Sequence, residues 1–308
     1  MLTYSIVMTT YNGEKYVAEQ LKSLSAQTKS ADEVLIFDDG STDNTVEAVK
    51  KFISENNCEN WHVYRNETNL GWRRNFMTGF KSATKDVIFC CDQDDVWDAH
   101  KCEKMLSAME NNENIGVLAC NLMPFFEDDV KKYKLAKFNT ENYGKSEIEK
   151  VKLDKMWMTV QRQGCTMCFR RELLPYIEKA WYSSCGHDSV LWSFGIATGK
   201  TYVYNEPFVK FRRHAGTNTP NNGKNSKERS ELCLSQAILS ERIYAAAVSG
   251  FDIPEKDKAY MRKLTAFYKE RGEAIEKKRF FKTLSMIKNL NLYISFKGWL
   301  ADVYSALK

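Results

Sequence analysis

The sequence predicts an α/β fold with a C-terminal helical extension, and three observations lead to this prediction. Over the first 125 residues, short β-branched apolar runs alternate with amphipathic stretches, which is typical of βαβ units and a mostly parallel central sheet. From residue 227 onward the pattern is helical throughout. The chain has 308 residues, of which 43% are hydrophobic, and this length suits a large domain with a smaller appended region.

The elements follow one another in a regular order. Strands are predicted at 4–8, 33–37, 61–65, 86–91 and 115–122, because each run has the apolar density of a buried strand. Helices are predicted between them at 14–26, 45–54, 75–83 and 99–111, where apolar residues recur at helical spacing. Further along, we expect strands at 165–169, 201–204 and 208–212, and helices at 171–181 and 188–197.

Two segments lack this periodicity and suggest the domain organisation. Residues 123–156 are rich in Lys, Glu and Asn, which predicts a surface excursion that could act as a lid. Residues 217–226 are polar and are interpreted as a linker. We therefore predict a catalytic domain at 1–216 and a C-terminal helical region at 227–308.

Composition and charge exclude several classes of protein. No apolar run approaches the ~20 residues of a membrane span, and the first residues lack the features of a signal peptide. Nine scattered cysteines do not resemble a disulfide framework, so we expect a cytoplasmic protein. The net charge of +5 is modest, and no nucleic-acid partner is expected.

An acidic pair follows the second predicted strand. Asp38 and Asp39 precede Gly40 and Ser41 at the point where this strand ends. Carboxylates at the end of a parallel strand can accept hydrogen bonds from a base or a sugar hydroxyl. The alternative is turn chemistry, in which the glycine supplies a positive φ and Ser41 or Asp43 caps the next helix.

A second acidic cluster follows the fourth predicted strand. Residues 92–97 are Asp-Gln-Asp-Asp-Val-Trp, and three carboxylates this close repel one another unless a divalent cation shares their charge. One alternative is a solvated acidic turn. Another is the nucleophile loop of a haloacid-dehalogenase-type phosphatase built on Asp92 and Asp94, although that motif usually follows the first strand.

These motifs together resemble family 2 glycosyltransferases with the GT-A fold. Residues 5–13, Ser-Ile-Val-Met-Thr-Thr-Tyr-Asn-Gly, are followed at the family's spacing by the two acidic motifs. The Asp-Gln-Asp-Asp-Val-Trp segment, residues 164–166 and the Phe-Arg-Arg-His segment at 211–214 are most similar to the bacterial rhamnosyltransferase-like branch. The resemblance covers roughly residues 4–215.

The resemblance implies a set of nucleotide-binding and metal-binding residues. Tyr11 would stack on the pyrimidine of the donor, and Asp92 and Asp94 would be the acids of the family's Asp-X-Asp motif, holding Mg²⁺ or Mn²⁺ together with His214. The other residues implied to bind the nucleotide are Thr9, Asn12, Asp38, Asp39, Gly71, Arg74, Asn75 and, beside its metal role, Asp92. Arg212 and Arg213 could assist the leaving diphosphate, with a solvent-facing role as the alternative.

Asp188 matches the general base of the family. A carboxylate can accept the proton of an acceptor hydroxyl as that hydroxyl attacks the anomeric carbon. The alternative is a helix N-cap, because Asp188 precedes a predicted helix. The Cys-X-X-Cys sequence at 165–168 has the spacing of a zinc or redox site, but no second cysteine pair or nearby histidine completes one, so we expect neither.

The resemblance implies an inverting, metal-dependent glycosyltransferase that moves one sugar from a nucleotide diphosphate donor, dTDP-rhamnose or a UDP-hexose. The acceptor would be a saccharide or a lipid-linked saccharide in cell-surface polysaccharide synthesis. The Gln-X-X-Arg-Trp motif of processive members is absent, so a single transfer per encounter is expected.

The basic C-terminal tail suggests a second kind of partner. Residues 255–308 carry a net charge of +7 and interleave aromatic with basic residues, as interfacial helices do on anionic membranes. This pattern predicts peripheral contact with the inner face of the cell membrane, and a helical cap packed on the catalytic domain is the alternative. A non-enzymatic membrane-surface adaptor is a further alternative, but it would leave both acidic motifs without a role.

Overall fold

The computed structural model describes residues 1–127, 146–214 and 225–307, and a mixed β-sheet forms its centre. The strands are β1 (Tyr4–Thr10), β2 (Glu33–Asp38), β3 (Trp61–Arg65), β4 (Val87–Asp92), β5 (Val96–Trp97), β6 (Val117–Phe126), β7 (Ile148–Lys150), β8 (Met167–Arg170) and β9 (Thr201–Arg213). The helices are α1 (Val17–Ser25), α2 (Thr45–Glu55), α3 (Trp72–Ser82), α4 (Lys101–Asn111), α5 (Leu174–Ala180), α6 (His187–Ala197), α7 (Ser226–Val248), α8 (Glu255–Glu276), α9 (Phe280–Ser285) and α10 (Phe296–Leu307).

The strand order is β3-β2-β1-β4-β8-β6-β9-β5, and β7 pairs with β9 outside that path. The first four strands pair in parallel, and so do β6 and β9. Strands β5, β7 and β8 pair antiparallel with their neighbours, so the α/β prediction is confirmed while the sheet is mixed. Because β1, β2, β4, β6 and β9 run in one direction, their carboxyl ends share one edge, where α/β proteins bind ligands.

Helices cover both faces of the sheet, and the alternation along β1 shows the division. Ile6 and Met8 join the cluster formed with α1, α2 and α4, whereas Val7 joins the cluster formed with α3, α5 and α6. All three side chains are fully buried, and each contributes about 1.5–3 kcal/mol relative to an exposed position. A strand that is buried on both faces therefore has a continuous apolar run in its sequence.

Two predicted element boundaries are corrected by the structure. The strands expected at 201–204 and 208–212 form the single strand β9, because Pro207 lies opposite Asn121 at a register shift that accommodates its missing N–H. The helix expected from residue 75 begins at Trp72. Gly71 precedes it with a φ of +82°, a conformation that favours glycine.

The segment 123–156, predicted as a surface excursion, is described only in part. Strand β6 extends through Phe126, and the short strand β7 pairs with β9. Residues 128–145, which carry the lid hypothesis, lie outside the described residues. The predicted linker at 217–226 also lies outside them except for its last two residues, where α7 begins.

The C-terminal helices pack on the rest of the molecule. Helices α7 and α8 lie against each other, and α7 also contacts α5 and α6. Ile243 of α7 and Phe267 of α8 belong to the same apolar cluster as Phe194 of α6. The region thus forms a helical cap on one face of the sheet, and its separation from residues 1–216 as a domain stays a prediction.

A buried ion-pair cluster joins three of these helices. The Asp302 side chain on α10 has no exposed surface and accepts hydrogen bonds from Arg229 Nε at 2.5 Å and from Arg271 Nε at 2.8 Å. The arginines come from α7 and α8, respectively. A buried carboxylate is tolerated because these partners compensate for its lost hydration.

We expect Asp302→Ala to lower the free energy of unfolding by about 3 kcal/mol, since it leaves two largely buried guanidinium groups without their carboxylate. Glu255→Ala is the matched control, because Glu255 is 77% exposed in its ion pairs and such pairs contribute little. Urea denaturation measures both variants. Equal stability of the two variants would contradict a structural role for the buried cluster.

Candidate active site

The acidic loop between β4 and β5 meets a histidine from far along the chain. Nε2 of His214 lies 2.8 Å from Oδ2 of Asp94. The two side chains are 14% and 20% exposed, so they border solvent at the carboxyl edge of the sheet. Both residues were predicted as metal ligands, and the structure brings them together.

A third carboxylate of this loop is buried, and the sequence did not single it out. Asp95 accepts a hydrogen bond at Oδ1 from the backbone N–H of Arg212, while its Oδ2 has no hydrogen-bond partner among the described residues. One oxygen each of Asp92 and Asp95 and the sulfur of Cys165 lie within 4.8 Å of one another. The discarded Cys-X-X-Cys motif therefore contributes Cys165 to the wall of this site.

A buried lysine compensates part of this negative charge. Lys101 has no exposed surface, and its Nζ donates a hydrogen bond to the backbone oxygen of Cys165 at 2.7 Å. The same Nζ lies 3.2 Å from the ring centroid of Trp97, within the range of a cation–π contact. The sequence held no signal for this residue, because it occupies an ordinary first-turn position of α4.

The pKa values of two aspartates rise because the loop is crowded and buried. Burial, followed by the charges of Asp95 and Asp94, raises the pKa of Asp92 well above its usual value. Burial and the charge of Asp94 raise the pKa of Asp95 to about 7. The cluster thus binds protons more readily than ordinary carboxylates do, and a cation placed beside it would displace them.

The chemistry of this cluster fits a hard divalent cation. Carboxylates and imidazole are ligands that Mg²⁺ and Mn²⁺ accept, and Oδ2 of Asp95 has no hydrogen-bond partner among the described residues. Burial raises the pKa of the Cys165 thiol well above its usual value, so this sulfur is a poor ligand. The residues that would hold the cation are Asp92, Asp94 and His214.

Arg212 holds the acidic loop to its surroundings. Its Nε donates a hydrogen bond to the backbone oxygen of Asp94 at 2.8 Å, and its two terminal nitrogens bind Glu19 and Glu127. The guanidinium also packs over the ring of Tyr16 at 4.9 Å. The side chain is only 7% exposed, so Arg212 faces the protein interior rather than solvent.

The acidic pair after β2 is engaged by neighbouring turns. Asp38 accepts hydrogen bonds from the backbone N–H of Ser41 at 2.8 Å and from the hydroxyl of Thr10 at 2.9 Å. Asp39 accepts from the backbone N–H groups of Leu70 and Gly71 at 2.7 and 2.8 Å. Gly40 has the expected positive φ of +78°, but the expected cap is wrong, because Asn44 and not Ser41 or Asp43 occupies the N-cap of α2. Asp39 links the end of β2 to the loop before α3.

Other predicted nucleotide residues lie around the same edge. Thr9 is paired in register with Asp92. The ring of Tyr11 is 47% exposed, and Gln93 clamps its backbone through hydrogen bonds of 2.9 and 3.0 Å. The exposed ring of Tyr11, on a backbone held in place, is suited to stacking on a base.

Asn12 adopts a φ of +46° and accepts a hydrogen bond from the backbone N–H of Thr42.

The loop that begins α3 contains two residues with different surroundings. Arg74 is exposed on the first turn of the helix. Asn75 has no exposed surface, and its Nδ2 donates a hydrogen bond to the backbone oxygen of Phe37. Asn75 therefore supports the edge from within, whereas Arg74 is available to a ligand.

Asp188 lies in the first turn of α6, but it is not the N-cap. Gly186 occupies the N-cap position, and Asp188 Oδ1 accepts a hydrogen bond of 2.7 Å from the backbone N–H of Ser189. The charge of Asp188 is among those that raise the pKa of Asp92. The structure thus brings the predicted base to the acidic cluster and leaves the N-cap alternative without support.

An apolar cage surrounds the residue before Asp188. His187 is 3% exposed, and its ring lies 3.8 Å from that of Phe76, centroid to centroid. Burial lowers the pKa of His187 to about 4, so the imidazole is neutral. A Cβ on Gly164 would lie 2.1 Å from His187 Nε2, so this close approach requires glycine. No local motif indicates this contact, because Gly164 and His187 are far apart in the sequence.

The family model described as "Glycosyl transferase family 2" matches residues 5–174. The dTDP-rhamnosyl transferase RfbG of Shigella flexneri is 27% identical over 219 residues, which are 67% of this chain and 71% of that protein. Other curated relatives match over shorter stretches, and the chain spans only about a third of two of them, 35% and 37% of their lengths.

Solved structures agree on the fold. Residues 1–349 of TarS from Staphylococcus aureus, in complex with UDP-GlcNAc, superpose with a TM-score of 0.63 at 17% identity, covering 100% of this chain and 82% of that one. A mannosyltransferase from Pyrobaculum calidifontis, in complex with GDP-Man and Mn²⁺, gives 0.54 at 19% identity and covers 99% and 86%. Because the family model covers more than half of the chain, the protein belongs to glycosyltransferase family 2 and is a glycosyltransferase with the GT-A fold.

Proposed function

We propose that the protein is an inverting, metal-dependent, non-processive glycosyltransferase that moves one sugar from dTDP-rhamnose or a UDP-hexose to a saccharide or lipid-linked acceptor in cell-surface polysaccharide synthesis. The proposal rests on one observation. Nε2 of His214 lies against Oδ2 of Asp94 at one end of an acidic cluster, and the charge of Asp188 on α6 acts on Asp92 of the same cluster. A cation site and a carboxylate base at one edge are what direct displacement of a nucleotide diphosphate requires.

In this proposal the side chains divide the work of binding and proton transfer. Asp188 accepts the proton of the acceptor hydroxyl as its oxygen attacks the anomeric carbon, which gives inversion in one displacement. Tyr11 stacks on the pyrimidine, and Arg74 reaches toward the diphosphate. Mg²⁺ or Mn²⁺ would supply charge stabilisation to the departing diphosphate. Arg212 acts on this site through the backbone of Asp94 rather than on the diphosphate itself.

The pyrimidine donor is supported by the relatives. RfbG is named as a dTDP-rhamnosyl transferase, and one TarS structure holds UDP-GlcNAc. Both donors carry a pyrimidine on a diphosphate, which is the part that the edge around Tyr11 would bind. Family membership favours a transferase over the phosphatase alternative on Asp92 and Asp94 and over a non-enzymatic adaptor.

We further propose a cytoplasmic location at the inner face of the cell membrane. All nine cysteines are free thiols, as in a reducing compartment. Among the helices of the described residues, none combines the length and the apolar character needed to cross a bilayer. Contact with the membrane would therefore be peripheral if the acceptor is lipid-linked.

The outward face of α9 and α10 supports this membrane contact. Along α10, four apolar side chains recur at helical spacing and are 46–66% exposed: Phe296, Leu300, Tyr304 and Leu307. Phe281 of α9 is 82% exposed, the highest value among the described large apolar residues other than Met1. Residues 277–308 contain seven basic residues and one acidic residue, Asp302, which is buried in its ion pairs. The surface is therefore apolar and cationic, as an anionic bilayer requires.

We expect UDP or dTDP to bind with Mn²⁺ and to bind at least about tenfold more weakly in EDTA or in Asp94→Ala.

Binding of the nucleotide should strengthen from about pH 5.5 to about pH 8, because the raised pKa values of Asp92 and Asp95 let protons compete at the lower pH. Calorimetry measures both effects, with Asp252→Ala, an exposed loop acid, as the control. Undiminished binding to Asp94→Ala would refute the metal role, and equal binding of ADP would refute the pyrimidine site.

We expect Asp188→Asn to reduce sugar transfer by about 10² or more while leaving nucleotide binding and the melting temperature nearly unchanged. Asparagine keeps the Oδ1 that accepts from Ser189 but cannot accept a proton. Transfer is measured by release of the nucleotide diphosphate with a saccharide acceptor panel. Transfer at the wild-type rate would leave Asp188 with a structural role only.

We expect the protein to co-sediment with vesicles containing phosphatidylserine, but not with neutral vesicles, and the binding to weaken as salt shortens the Debye length from about 10 Å at 0.1 M. Replacing Lys277, Lys278, Arg279 and Lys282 by Gln should abolish it. The matched control replaces four exposed lysines of the catalytic domain: Lys22, Lys50, Lys51 and Lys104. Failure of the wild type to sediment at low salt, or equal losses in both variants, would refute this surface.

A further inference from the structure

A polar cavity of about 170 Å³ lies beside β7 and β9, apart from the acidic cluster. Its walls include Glu149, Lys150, Gln161, Arg162, Val203 and Asn205. It is smaller than the ~300 Å³ at which pockets for drug-sized ligands begin, and it opens past the exposed residues Glu149 and Lys150 of β7. The proposed donor and cation sites use none of these residues.

A buried amide group without a hydrogen-bond partner lines this cavity. Asn205 is 3% exposed, and its Nδ2 has no hydrogen-bond partner among the described residues. Asn121 on the neighbouring strand is 1% exposed, and both of its amide atoms lack partners within the same described part of the chain. An unsatisfied buried donor is costly, so the Nδ2 of Asn205 in the wall favours a ligand that can accept a hydrogen bond, such as a hydroxyl group.

An irregularity in the β6–β9 pairing lies at the cavity. The register shifts on either side of Asn121, which leaves extra residues of β9, Asn205 among them, between Tyr204 and Val209. Bulges of this kind redirect side chains and occur often beside active sites. Asn205 therefore stands at a bulge, where it forms part of the cavity wall.

The strand pairings place the cavity level with the acidic cluster. Phe89 of β4 and Leu118 of β6 both lie opposite Cys168 of β8. Since β4 and β6 run in the same direction, Asp92 is level with Asn121. Val203 of the cavity wall pairs with Ala119, two residues before that level, so the cavity lies in the carboxyl half of the sheet, a few strands from the proposed cation site.

A short stretch of chain connects the cavity to the predicted base. Arg162 lines the cavity, and Gly164, two residues later, lies against His187. Two residues of extended chain span about 7 Å, and His187 directly precedes Asp188. The wall of the cavity therefore continues through Gly164 to α6, the helix that carries Asp188.

We propose that this cavity is an acceptor subsite that binds a neutral sugar ring one or more units away from the hydroxyl that is attacked. The inference rests on the proposed function, because it assigns the acceptor of the same transfer. Amides both donate and accept hydrogen bonds, so the side chains of Asn205 and Gln161 in the cavity wall match the mixed donors and acceptors of a polyol. Acceptor specificity then depends on Asn205 and Gln161, outside the nucleotide site.

The test is binding of methyl glycosides of glucose, galactose, mannose, rhamnose and N-acetylglucosamine to the protein with UDP and Mn²⁺ present. We expect at least one glycoside to shift the side-chain amide NMR signals of Asn205 and Asn121. Asn205→Leu, which keeps the size but loses the hydrogen bonds, should weaken that binding at least about tenfold while UDP affinity stays within about twofold. Asn111→Leu, on the exposed end of α4, is the matched control and should bind like the wild type.

A second variant controls for misfolding of Asn205→Leu, whose substitution is at a buried position. Gln161→Ala changes a partly exposed side chain of the same wall and should weaken the same glycoside. If no glycoside shifts the Asn205 signal while UDP and Mn²⁺ bind, the subsite is refuted and the proposed function stands. If both variants bind the glycoside as the wild type does, the subsite is equally refuted. If UDP and Mn²⁺ do not bind the wild type, the proposed function itself fails.

Discussion

Repulsion among the carboxylates of the loop between β4 and β5 is the constraint on which the site depends. Asp92 and Asp95 lie close together beside Asp94, and burial strips them of water, so the pKa of each rises. The protein offsets part of this cost with the buried ammonium of Lys101. The proposed affinity for a divalent metal would therefore be a consequence of how the loop is built.

The geometry of this loop depends on strand β9. Arg212 binds the loop through its backbone N–H and its Nε, and His214, two residues further, meets Asp94. The same guanidinium binds Glu19 at the start of the chain and Glu127 just before the undescribed segment. A single buried side chain thus links four regions of the sequence.

The two faces of the sheet carry different parts of the proposed reaction. The loops after β1 and β2, with Tyr11 and Asp39, form the nucleotide side, whereas α6 with Asp188 stands on the face that also holds the polar cavity. The C-terminal helices pack on this second face. Their buried pairs around Asp302 remove the acidic charge of residues 277–308 from the surface, which leaves an apolar and cationic exterior near the side from which an acceptor would enter.

Local patterns in the sequence determined the parallel strands and helices of the first half, the positions of Asp92 and Asp94 at a strand end, and the basic tail, because periodicity and motif order are properties of neighbouring residues. Only the tertiary structure decided that Lys101, Cys165 and Arg212 surround the acidic loop, that Thr10 of β1 donates to Asp38, and that Asn205 lines a polar cavity with an unsatisfied amide. These outcomes depend on which residues meet across the sheet and on how completely water is excluded there. No single stretch of sequence carries that information, since the partners are separated by tens to hundreds of residues.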